Sequence, residues 1–86
     1  MKHKIGIVGI MVEDLNAVES VNEALHEYGD YIIGRMGLPH RMRGVNVIAI
    51  VMDAPNDIIS ALTGKLGMLN GVSAKVTYSK KEYENR

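Results

Sequence analysis

Eighty-six residues, 9.5 kDa, are enough for one compact domain and too few for two. Ten Lys and Arg balance ten Asp and Glu, so the chain lacks the bulk field that drives sequence-independent binding to nucleic acid or to an anionic membrane. No cysteine is present, which excludes disulfides, thiolate metal sites and cysteine nucleophiles. A folded monomer of this size buries only about 60 to 65% of the surface its unfolded chain exposes, so its core is marginal and a partner would help it. The start Met1-Lys2-His3-Lys4 resembles a signal n-region, but the apolar run after it stops at Glu13-Asp14 with no small-residue cleavage site. No run approaches the length of a membrane span, and a cytoplasmic protein that touches no membrane is expected.

Lys4 to Val12 is short, apolar and rich in β-branched residues, which predicts a buried strand. From Asp14 to Tyr28 the period changes. Leu15, Val18, Val21, Leu25 and Tyr28 recur every three or four residues, an amphipathic helix with Asn16 or Asp14 as cap and Gly29 as a left-handed stop. Tyr31 to Leu38 predicts a second strand, with Gly34 and Gly37 marking a bulge or a close backbone approach. Val45 to Met52 is the most continuously apolar strand. Pro55 and Asp57 then open a second helix with Ile58, Ile59, Leu62 and Leu66 inward and Gly67 at its close. Asn70-Gly71 marks a turn, and Val72, Ala74, Val76 and Tyr78 alternate with polar residues as a half-buried strand should. The charged tail from Ser79 to Arg86 is expected to fray.

The order βαββαβ is the α+β, ferredoxin-like plan: a four-stranded antiparallel sheet with two helices on one face, filling residues 1–86 as a single domain. The first and third strands are central in that plan. Their apolar residues fall on both faces, with Ile5, Ile7, Met11, Val45, Val47 and Val51 opposite Val8, Ile10, Val12, Ile48, Ile50 and Met52. Two helices cover one face only. A homo-oligomer, dimer or tetramer, associating through the second face is therefore expected.

Chemistry is sparse. His3, His26 and His40 lack the close spacing of a chelate, so no metal is expected, and neither is any other cofactor. The strings Gly6-Ile7-Val8-Gly9 and Gly34-Arg35-Met36-Gly37 lie inside strands rather than opening helices, so they make no phosphate cradle. No serine sits in a strand-to-helix elbow. The same plan hosts RNA-recognition domains that stack bases on aromatics of the central strands, but the four tyrosines, at 28, 31, 78 and 83, avoid both of these, and no direct nucleic-acid contact is expected. Charge is segregated instead: residues 13 to 30 hold six acids and no Lys or Arg, whereas residues 35 to 43 hold Arg35, Arg41, Arg43 and His40 and no acid. Such segments could meet between subunits, or the arginines could hold an anion through bidentate hydrogen bonds.

Ile33-Gly34-Arg35-Met36-Gly37-Leu38-Pro39, Val47 to Asp53, Ile59 to Gly67 and Gly71 to Lys75 together give the chain a resemblance to the small stand-alone iron-only hydrogenase system regulators. These have an ACT-like fold akin to the regulatory domain of the nickel-responsive repressor. The resemblance implies a regulatory module that assembles through sheets or edges and binds a small effector at a subunit boundary. This chain departs from amino-acid-binding ACT domains, which have a proline-glycine turn after the first strand where it has Val12-Glu13-Asp14-Leu15-Asn16. It also lacks the cysteine and the histidine placement of the nickel site, and it carries no DNA-binding module, so regulation of transcription would run through a protein partner.

The expectation is thus a non-enzymatic ligand-sensing or partner-docking module, with ligand-binding candidates Glu13, Asp14 and Asn16 at one turn and Arg35, Arg41 and Arg43 on the basic segment. Acids on one side and guanidinium groups on the other would divide a zwitterionic effector between them. Two alternatives remain open on sequence. One is a small hydrolase in which Arg35 or Arg41 holds an anionic substrate and Asn46 orients water. The other is a purely structural oligomerisation domain.

Overall fold

The computed structural model describes residues 2–85. Its strands are β1 (Lys2–Val12), β2 (Ile32–His40), β3 (Val45–Ala54), β4 (Val72–Tyr78) and the two-residue β5 (Tyr83–Glu84); its helices are α1 (Val18–Glu27) and α2 (Asn56–Gly67). The sheet order is β2-β3-β1-β4, antiparallel throughout, with β5 pairing β1. This is the ferredoxin-like plan with β1 and β3 at its centre.

Alternation along the strands builds the core. Val8, Ile10 and Val12 of β1 and Ile48, Ile50, Met52 and Ala54 of β3 face the helices and are buried. Val21, Ala24 and Leu25 of α1 and Ile59, Leu62 and Leu66 of α2 close over them. Gly6 lets α2 sit low on the sheet, since a Cβ there would meet both Ile59 and Val76 at 3.2 Å. The ion pair of Lys65 with Glu27 links the two helices at the surface. That pairing raises the Lys65 pKa above its ordinary value, first through the hydrogen bond to Glu27.

Several boundaries differ from those the sequence predicts. The segment Leu15–Ala17 is a 3-10 turn rather than the start of α1, and Asp14 caps it, its Oδ1 accepting the Asn16 backbone N–H at 3.0 Å. Leu15 consequently points outward and is 55% exposed instead of joining the inner stripe. Gly29 is no left-handed stop; it opens a second 3-10 turn, Gly29–Tyr31, because the chain re-enters the sheet there directly. The strand irregularity falls between Ile32 and Gly34 and not at Gly37. Part of the tail pairs with the sheet, and Arg86 lies outside the described residues. The Ser79 N–H donates to Ile5 O at 2.7 Å, Tyr83–Glu84 pairs with Lys2–His3, and Lys2 meets Glu84 at 2.7 Å.

The register also fixes which connections share an end. Val12 lies opposite both Asn46 and Val72, so the β1–α1 turn, the β2–β3 hairpin tip and the α2–β4 turn leave the sheet together. Gly71 clamps two of them: its carbonyl accepts the Glu13 N–H at 2.6 Å, and its φ of 73° is open to glycine and strained for other residues. Gly71→Ala would combine that strain with a Cβ driven to 2.9 Å from the Asp14 backbone nitrogen. It should cost at least about 2 kcal/mol in chemical denaturation. Gly37→Ala, with nothing within 4 Å of the new Cβ, is the control expected to change stability little. For Lys65 the raised folded-state pKa means its contribution is complete below the unfolded value of 10.5 and lost as pH climbs through the folded one. Melting curves of wild type and Lys65→Met should converge above that range.

Candidate functional site

Five of the six residues singled out from sequence emerge at the same end of the sheet. Glu13 and Asp14 sit between Val12 and the capped turn, with Asn16 inside that turn. Arg41 and Arg43 belong to the 3-10 turn Arg41–Arg43 that closes the β2–β3 hairpin, and Gly44 at φ 65° lets the chain reverse behind them. Arg35 is apart from this group. It lies mid-strand opposite Ile50, on the helix side of β2, and its Nη2 donates to Asn22 Oδ1 at 2.8 Å.

The end of the sheet is polar and open. The Asp14 carboxylate is already committed to its own turn, which leaves Glu13 as the free acid of the pair. Among the described residues no ion pair engages Arg35, Arg41 or Arg43. Two depressions flank α1. A groove of ≈ 760 Å³ runs along its exposed flank with Leu15 and Val18 as apolar floor and Asn16, Glu19 and Glu23 as polar wall. A cleft of ≈ 200 Å³ lies between α1 and β2 and holds Arg35 and Asn46 together, with Arg41 beyond the strand end.

The helix-free face of the sheet is of a different character. Ile7 is 52% exposed, Met36 68% and Leu38 61%, and Ile33 and Met11 join them. Their register partners on the same face, Val51, Ala49 and Val47, are only half-buried. At the centre Gly9 lies across from Ala49, and a Cβ at Gly9 would meet nothing within 4 Å. The surface there is apolar on the β3 side of Gly9, and on the β4 side Lys75 lies directly across from Gly9 and lines a shallow depression with Gly9 and Met11. Lys75 on β4 and Asp53 near the far end of β3 mark its rim.

Sequence reasoning missed one pair. His3 is buried, and its Nδ1 lies 2.8 Å from Asp53 Oδ1 across the ends of the two central strands, with β5 alongside. The signal was the β1–β3 register, which places Ile5 opposite Asp53 and so brings His3 alongside it. His26 lines the α1 groove and His40 ends β2, so the three histidines stay apart. Among the described residues no three His, Asp or Glu side chains converge as a metal site would need. No helix among them is long and apolar enough to cross a membrane.

Residues 4–76 match the TM1266-like family model, described as "Iron-only hydrogenase system regulator, putative". Among solved structures the chain is similar to the uncharacterized protein TM1266 from Thermotoga maritima, with 37% identity, a TM-score of 0.87, and coverage of 91% of this chain and 99% of that one. It is also similar to a formyltetrahydrofolate deformylase from Pseudomonas putida KT2440, at 16% identity and a TM-score of 0.62 over 85% of this chain and 28% of that one, a likeness of fold alone. No curated protein matches the sequence. With the family model spanning almost the whole sheet and both helices, this chain belongs to the TM1266-like family of iron-only hydrogenase system regulators.

Proposed function

We propose that this chain is a non-enzymatic regulatory module that works as a homo-oligomer, joined through the helix-free sheet face, and receives a small zwitterionic effector or a protein partner at the end of the sheet that carries Glu13, Asn16, Arg41 and Arg43. The observation that carries this reading is the apolar face built by Ile7, Met11, Met36, Leu38, Val47 and Val51. Water against so much contiguous apolar surface is unfavourable, at about 25 cal/mol for each Å² that a partner could remove. The small residues Gly9 and Ala49 at its centre allow close approach of a second sheet, about 10 Å away in ordinary sandwiches. Membership of a regulator family supports a role in signalling rather than turnover.

The effector end follows from charge. Among the described residues Arg41 and Arg43 have no acid partner, and their exposed guanidinium groups make a fork suited to carboxylate or phosphate. Glu13 offers an acceptor for an amine at the neighbouring turn. A ligand that bridged the two would tie the β2–β3 hairpin to the β1–α1 connection and bias whatever surface the assembled module presents.

Light scattering should return a mass that is a multiple of the 9.5 kDa chain at micromolar concentration, and a monomer would contradict the proposal. Ile7→Asp should dissociate the assembly and destabilise the fold, because an unpaired charge in an apolar interface costs roughly 3 to 5 kcal/mol. For the effector end, a thermal-shift screen of amino acids, nucleotides and anions identifies a stabilising compound. Calorimetric titration of that compound into Arg41→Ala and Glu13→Ala should show weaker binding in both. Unchanged affinity in both would place the effector elsewhere.

A further inference from the structure

The hairpin tip and the α1 groove complement one another, although they lie on different elements. The tip presents Arg41-Met42-Arg43 in one 3-10 turn, with Met42 86% exposed and both guanidinium groups outside any ion pair among the described residues. A flexible apolar side chain between two cations is an unusual thing to hold in water. The groove offers the opposite pattern. Leu15, exposed because its turn swings it off the core, and Val18 form an apolar floor, and Glu19 and Glu23 form an acidic wall. Glu27, the next acid along α1, is engaged with Lys65, which leaves Glu19 and Glu23 available. Asn22, which also lines the groove, accepts from Arg35 at the edge nearest β2, and His26 lines the other end, so the incoming cations have Glu19 and Glu23 as their acidic partners.

We propose that the groove along α1 is the docking site for the β2–β3 hairpin tip of a second copy of this chain. Met42 of one copy packs on Leu15 and Val18 of the other, and Arg41 and Arg43 pair with Glu19 and Glu23. Both elements are present on every copy, so a two-fold axis makes the contact twice and closes it, whereas a one-way contact would run on into a filament. The groove lies on the helix layer and the open sheet face on the opposite side, so this contact is a second interface and does not rest on the first. Two such two-fold interfaces on one chain, with their axes perpendicular and intersecting, close into a tetramer.

The test is a charge swap at exposed positions, where folding should be unaffected. Sedimentation velocity would compare wild type with Arg41→Glu/Arg43→Glu and with Glu19→Lys/Glu23→Lys. Each double variant should lose this contact, its dissociation constant rising by at least about tenfold in low salt, and the assembly should drop to the sheet-face dimer. An equimolar mixture of the two variants should restore the larger species, because both reciprocal contacts then join opposite charges. Circular dichroism of each variant confirms the fold. A tetramer that survives both swaps, a mixture that does not reassemble, or a wild type no larger than a dimer that Ile7→Asp alone dissolves would overturn the proposal. That last outcome would leave the sheet-face reading standing, and a monomeric wild type would overturn both.

Discussion

Two helices cannot cover two faces of one sheet, and the central strands of this protein are apolar on both. Everything else in the molecule is arranged around that mismatch. On the helix side the alternating residues of β1 and β3 are almost wholly buried beneath α1 and α2. On the other side the same strands show Ile7 and Met11, and the edge strand β2 adds Ile33, Met36 and Leu38. A chain of this length has little core to spare. Leaving that face in water would be a steady source of non-specific association, so a defined partner is the arrangement that physics favours.

The second organising feature is the register of the central strands. With Val12 opposite Asn46 on one side and Val72 on the other, three connections are gathered at one end of the sheet, and Gly71 locks two of them by a backbone hydrogen bond. The opposite end is held by the His3–Asp53 pair and by β5. One end is thus tied by backbone and side-chain pairing, and the other carries Glu13 on the first turn and Arg41 and Arg43 on the hairpin. Rigid strands carrying short polar loops are the usual way for a small fold to offer a binding surface.

Much of this was legible in the sequence. The apolar runs at Ile5 to Val12 and Val45 to Met52 identify the central strands, alternation in Val72 to Tyr78 identifies a half-buried edge, and Asn70-Gly71 marks a turn that φ 73° at Gly71 bears out. Both faces of β1 and β3 were assigned correctly from period two alone. What sequence could not supply was set by tertiary geometry. Leu15 matches the helical stripe, yet the Asp14 cap tightens that turn to a 3-10 one and rotates Leu15 outward. Gly29 looks like a left-handed stop, yet the short path back into β2 is made by a 3-10 turn. β1 extends to Lys2 and offers backbone with which Tyr83 and Glu84 pair, a contact the charged tail composition does not signal. Of the six candidate site residues, the five at turns lie at one end of the sheet because these turns share that end, while Arg35 is drawn to Asn22 by the position of α1.

The central claim is that a second copy covers the helix-free face, and methyl-resolved NMR with a soluble paramagnetic cosolute tests it most directly. The methyl groups of Ile7, Met11 and Val51 report on that face, and those of Ile10 and Ile50 on the core serve as the protected reference. At concentrations where the protein is assembled, the signals of Ile7, Met11 and Val51 should be as resistant to broadening as those of Ile10 and Ile50, and dilution should expose them together. Full broadening of the Ile7, Met11 and Val51 methyls at every concentration, beside protected core methyls, would show a face that stays wet and would contradict the account.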